Sequence, residues 1–193
     1  QDPVSYWSAR GSTDTTDINT AASLPDALNI VTEYADGGSL DGLLKRNQGQ
    51  LEEFLIALWL AQLILAIDHM HDCGVLHRDL KPANIFITKS GIVKVGDLGG
   101  CIMVEKPDDV CESEYGSPIY ICPEVWHSGV CSHKSDVWSL GCVAYVLIAL
   151  RPPFEPGPAL VQQVLRQQPA QLPQNYSPGL RTVVGKMLSK EPS

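Results

Sequence analysis

At 193 residues and 44% apolar composition, the chain fits one ordinary domain with a real core. A formal net charge of −8, with no basic run anywhere, argues against a nucleic-acid or polyanion binder. The six cysteines (73, 101, 111, 122, 131 and 142) make no Cys-x-x-Cys pair and no metal-ligand spacing with the histidines. They read as reduced thiols of an intracellular protein rather than a disulfide framework, and no charged-then-apolar leader suggests secretion.

In chain order, Asn29 to Tyr34 is β-rich and predicts a strand running into the loop Ala35-Asp36-Gly37-Gly38. Ser39 to Arg46 predicts a short helix and Leu51 to His71 a long one, with Gly74 where a helix stops. Ile85 to Ile87 and Ile92 to Val95 predict two short strands around the turn Lys89-Ser90-Gly91. A further helix begins near Lys134, for which Asp136 is a candidate N-cap. Leu160 to Gln167 and Pro178 to Leu188 predict two more. The apolar runs Phe54 to Ile67 and Val137 to Leu150 are too short to span a bilayer and read as buried helices, so no membrane association is expected.

The chemistry concentrates between these elements. His77-Arg78-Asp79-Leu80-Lys81-Pro82-Ala83-Asn84 is followed by Asp97-Leu98-Gly99. Together they supply a proton-accepting carboxylate, a phosphate-facing ammonium and hard oxygen ligands of the kind Mg²⁺ prefers. The first stretch matches His-Arg-Asp-x-x-x-x-Asn without substitution, so the chain resembles the eukaryotic protein kinases. Tyr115-Gly116-Ser117-Pro118-Ile119-Tyr120, Cys122-Pro123-Glu124 and Lys134-Ser135-Asp136-Val137-Trp138 follow in the order of that family. The resemblance implies an α+β, protein-kinase-like fold, mostly the helical C-lobe plus the hinge and the last N-lobe strands. Residues 1–34 would be a remnant of the N-lobe, two strands with a long polar loop between them. Residues 35–193 would be the hinge and the C-lobe, truncated before its last helix.

Residue by residue, the resemblance makes Asp79 the group that orients the substrate hydroxyl and accepts its proton. Lys81 would offset phosphoryl charge, and Asn84 and Asp97 would hold Mg²⁺. Lys81 also points to serine/threonine rather than tyrosine specificity. ATP would lie against the hinge residues Thr32 (the gatekeeper), Glu33, Tyr34 and Ala35, with Ser39 and Phe86 also lining its site. Ser117 keeps the hydroxyl that bridges Asp79 and Lys81. Ser113, four residues earlier, is a candidate phosphosite, filled by an upstream kinase or by autophosphorylation, whose phosphate would pair with Arg78. Structural roles fall to His77 and Leu98 in a hydrophobic stack that Tyr6 would join. Asp136 would cap the catalytic-loop backbone, and Glu124 would lack its usual arginine partner.

Asp79 to Phe86, Leu28 to Val31 and Lys134 to Cys142 resemble the NIMA-related kinases most. Centrosomal or cytoskeletal association within the cytoplasm would be carried by that likeness alone. The chain shows no Gly-x-Gly-x-x-Gly loop and no Val-Ala-x-Lys strand. Val4 to Trp7 resembles the fourth N-lobe strand, and Gly11 to Ser23 an enlarged hairpin loop. The chain is therefore expected to be a partial domain that is inactive when isolated. The leading reading is ATP- and Mg²⁺-dependent phosphorylation of serine or threonine in protein substrates. The alternative is a non-catalytic pseudokinase or scaffold that binds partners through the C-lobe.

Overall fold

Helix formation starts where a side chain replaces a missing backbone partner. In the computed structural model, which describes residues 30–47, 49–105, 110–112 and 115–191, Ser39 caps α1 (Leu40–Arg46) by accepting the Gly42 amide. The chain divides into two units, residues 1–33 and 34–193, and every helix and strand among the described residues lies in the second. Helix α2 (Glu53–Asp72) buries Ile56, Trp59, Leu60, Leu63 and Ile67, a stripe at helical spacing. It ends at Gly74, whose φ of 71° suits glycine. Helix α4 (His133–Ala149) is buried nearly all round, as a central core helix must be. A capping box between Ser132 and Ser135 starts it, so Asp136 is not its N-cap.

Around α4 pack α2 and α6 (Pro178–Met187), with α3 (Pro123–Ser128) against α5 (Leu160–Arg166). The strands are short antiparallel pairs. Strand β1 (Val75–Leu76) pairs with β4 (Ile102–Met103), β2 (Ile85–Ile87) with β3 (Val93–Val95), and β5 (Cys111–Glu112) with β6 (Val130–Cys131). The loops that carry the candidate site hang from these pairs, above a core of Leu80, Ile85, Val143 and Leu147.

Three further expectations need correction. Residues 30–34 form no strand; a β-rich hexapeptide becomes a strand only when another backbone pairs with it, and among the described residues no strand does. Helix α2 extends beyond the apolar run and, at 20 residues, is long and apolar enough to cross a membrane, yet its inner stripe is built into the core. The cysteines are not all reduced, because Cys111 and Cys131 are disulfide-bonded. The β5–β6 register sets them opposite each other with Cα atoms 5.3 Å apart, within bridging distance. The expectations for Val4 to Trp7, Gly11 to Ser23 and Ser113 fall outside the described residues.

Candidate active site

Residues 77–84 leave β1 as a tight loop whose shape is set by hydrogen bonds to groups far along the chain. Asp136, buried on α4, accepts the backbone amides of His77 at 2.9 Å and Arg78 at 2.8 Å. The ring of His71 donates through Nε2 to the same carboxylate at 2.9 Å. His77 is fully buried and donates through Nε2 to the Gly96 carbonyl, while its Nδ1 accepts the Asp79 amide. One ring nitrogen donating and the other accepting defines the neutral imidazole. His77 thus ties the loop to the end of β3.

That clamp presents Asp79 with three donors. Lys81 Nζ lies 2.6 Å from Oδ2, the Ser117 amide 2.9 Å from Oδ1, and Asn84 Nδ2 3.1 Å from Oδ2. Burial pushes the Asp79 carboxyl up, but the bonds from Lys81 and Ser117 and the Lys81 charge outweigh it, so it is held below the usual carboxylate range. It is ionised at neutral pH. The same ammonium donates to Ser117 Oγ at 2.8 Å, so one lysine joins the loop to the segment that carries Ser117.

Asn84 also donates to the Asp79 carbonyl at 2.9 Å, which commits its amide nitrogen and leaves its oxygen as the ligand it offers. The β2–β3 hairpin returns the chain beside it: the Gly96 amide donates to the Asn84 carbonyl at 2.9 Å, and Asp97 comes next. Asp97 is exposed and left-handed, at φ 59°. Among the described residues no cluster of three His, Cys, Asp or Glu side chains is built to hold a metal. One carboxylate and one amide oxygen make an incomplete, hard donor set, which fits Mg²⁺ shared with phosphate oxygens.

The other expected residues are distributed less evenly. Ser39 bridges to Phe86, and the Gly37 amide donates to the Ile87 carbonyl, so the 35–39 loop adjoins β2. Phe86 packs on Gly96, where a Cβ would come within 2.9 Å of the ring. Tyr34 is exposed and Ala35 half-buried. Thr32 and Glu33 belong to the first unit, whose described residues carry no helix or strand.

Leu98 is 56% exposed rather than stacked on His77. It opens a 3-10 turn, Leu98–Gly100, on the exposed stretch that follows Asp97. Glu124 is not left without a partner, because the Ser135 hydroxyl donates to it at 3.3 Å.

Arg78 already has two contacts. Its Nε donates to the Gly100 carbonyl at 2.6 Å, and its guanidinium lies 5.4 Å from the centre of the Tyr115 ring. Tyr115 reaches that seat because residue 100 is glycine; a Cβ there would lie 2.1 Å from the ring. Tyr115, Gly100 and His71 were missed by sequence reasoning. The Gly99-Gly100 pair was the one available hint of a close approach, and His71 gave none.

The protein kinase domain family model matches residues 13–193. The chain is 39% identical over 169 residues to mouse (Mus musculus) serine/threonine-protein kinase Nek3, covering 86% of this chain and 33% of that protein. It is 36% identical to mouse serine/threonine-protein kinase Nek4 (86% of this chain, 21% of that protein). It is 37% identical to serine/threonine-protein kinase Nek3 of Oryza sativa subsp. japonica (84% and 28%). The chain thus spans a third or less of the length of these relatives. A match over nearly the whole sequence, joined to a loop folded around Asp79 in this way, leaves one assignment: the chain belongs to the protein kinase domain family.

Proposed function

We propose that this domain, within its whole polypeptide, catalyses transfer of the terminal phosphoryl group of ATP to serine or threonine hydroxyls of protein substrates. The observation that carries the reading is the Lys81 ammonium shared between the Asp79 carboxylate and the Ser117 hydroxyl. It links a proton acceptor, a phosphate-facing cation and a segment against which a substrate would lie. The names of the relatives, all serine/threonine-protein kinases, support the acceptor type.

In this scheme Asp79 orients the acceptor hydroxyl. A carboxylate held below its ordinary range is a weak base, so it takes the proton late, as the new bond forms, rather than beforehand. Lys81 steadies Asp79 and faces the transferring group. Asn84 and Asp97 would hold Mg²⁺, which neutralises phosphate charge when bound. The 35–39 loop and Phe86 would line the adenine side, and residues 1–34 are taken as N-lobe.

The test is transfer of γ-labelled phosphate to protein serine or threonine by the whole polypeptide, beside Asp79→Asn and Asp97→Asn. The expected result is a loss of at least about a hundredfold in each variant with unfolding temperature retained. Undiminished transfer by folded Asp79→Asn would remove the reading.

A further inference from the structure

We propose that Cys111 and Cys131 form a reversible thiol–disulfide latch that fastens the segment carrying Tyr115 and Ser117 to the start of α4. The proposal rests on the assignment of Asp79, Lys81 and Ser117 as the phosphoryl-transfer site only for its consequence to catalysis. The latch itself is argued from geometry.

Strand β5 lies on the segment between Asp97 and Glu124, and β6 lies between α3 and α4. Each strand is 2 residues long, so few backbone hydrogen bonds hold the pair, and the covalent bond is its main tie. The cysteines are 20 residues apart, and the loop they close contains Tyr115, Ser117 and all of α3. Cys131 is buried and forms part of the wall of a small cavity of about 20 Å³ that Arg78, Tyr115, Cys122 and Ser135 also line. The disulfide therefore borders the place where Tyr115 sits on Arg78. Closing it limits how far the Tyr115–Ser117 stretch can move from Arg78 and Lys81. Opening it leaves that stretch to its non-covalent contacts, among them those of Ser117 and the Arg78–Tyr115 contact.

Cys111 is half-buried whereas Cys131 is buried, so a small-molecule thiolate attacks at Cys111. A mixed disulfide forms at Cys111 and the Cys131 sulfur leaves as a thiolate. That thiolate then takes up a proton. A second thiol attacks the mixed disulfide, which releases the oxidised small-molecule disulfide and a Cys111 thiol. Two thiols are oxidised and one protein disulfide is reduced. The reverse, driven by a small-molecule disulfide such as oxidised glutathione, closes the latch. Cys122 lines the same cavity, but burial pushes its thiol up to about 12, so it stays protonated and does not compete.

The test uses the 193-residue chain in glutathione buffers of graded redox poise, with alkylation, non-reducing peptide mapping and amide hydrogen exchange. The expected result is a Cys111–Cys131 linked peptide in oxidising buffer, lost on reduction with the far-ultraviolet spectrum intact. Exchange across residues 110–112, 115–121 and 130–131 should then rise about tenfold. Cys111→Ser should show the fast pattern in every buffer; if it does not fold, the wild-type comparison still decides. A Cys122–Cys131 link, no link, reduction only on unfolding, or unchanged exchange across 115–121 would each overturn the latch. No ATP enters this readout, so failure of the latch and failure of the kinase assignment are separate results.

Discussion

The Asp136 carboxylate holds the backbone of Arg78, accepting its amide at 2.8 Å while Arg78 sits at a φ of 67°. A non-glycine residue in that region is held against its own preference, and here the restraint comes from another element. Asp136→Ala removes the acceptor of two backbone amides and of His71. It should destabilise the fold by roughly 3–5 kcal/mol, because buried donors lose a charged partner. Urea unfolding followed by tryptophan fluorescence measures this; a loss under about 1 kcal/mol would show that the loop holds its shape unaided.

Replacing Lys81 tests the electrostatics of Asp79. Burial raises this carboxyl and the Lys81 and Ser117 contacts lower it, so Lys81→Met should move its titration upward. In the wild type the folded value is depressed. The associated stability is therefore complete above the ordinary carboxylate range and lost as pH falls through the folded value. The variant should lose it at higher pH. Carboxyl carbon resonances followed through an acid titration report both; an unmoved or lowered midpoint would contradict the assignment.

Gly74→Ala probes the stop signal between α2 and β1. Alanine at φ 71° is strained, and its Cβ would lie 2.6 Å from the Val104 carbonyl oxygen. That carbonyl belongs to the residue whose amide donates to Gly74. A loss of about 1–3 kcal/mol is expected from the left-handed cost and the enforced shift. Thermal unfolding that matches the wild type would mean the turn relaxes freely.

The chain contains no Gly-x-Gly-x-x-Gly loop and no Val-Ala-x-Lys strand, the parts that grip the nucleotide phosphates in kinases. Titration calorimetry with Mg-ATP should give a Kd above about 0.1 mM for the 193-residue chain. Binding at about 1 µM would show that the residues around Asp79 and Asp97 suffice.

Much of this was legible in the sequence, for a local reason. The helix from Ser39 to Arg46, the long helix that follows it, the turn before Ile92 and the motif from His77 to Asn84 are short-range signals, readable within a few residues. What escaped depends on partners far along the chain. The strand expected at residues 30–34 needed a neighbour. The disulfide needed the register of two strands 20 residues apart. The Leu98 side chain followed a turn, and the seat of Tyr115 on Arg78 followed a glycine that only the folded chain brings beneath the ring. His71 is 65 residues from the Asp136 it serves.

The same long-range bond orders the assembly of the site in time. Arg78 and Asp136 are 58 residues apart, so the loop around Asp79 reaches its final shape only after the intervening chain has closed and α4 has docked. The hairpin beneath it, whose partners are 6 to 10 residues apart, forms without that wait. The shape of the loop around Asp79 is thus acquired later than the hairpin that underlies it.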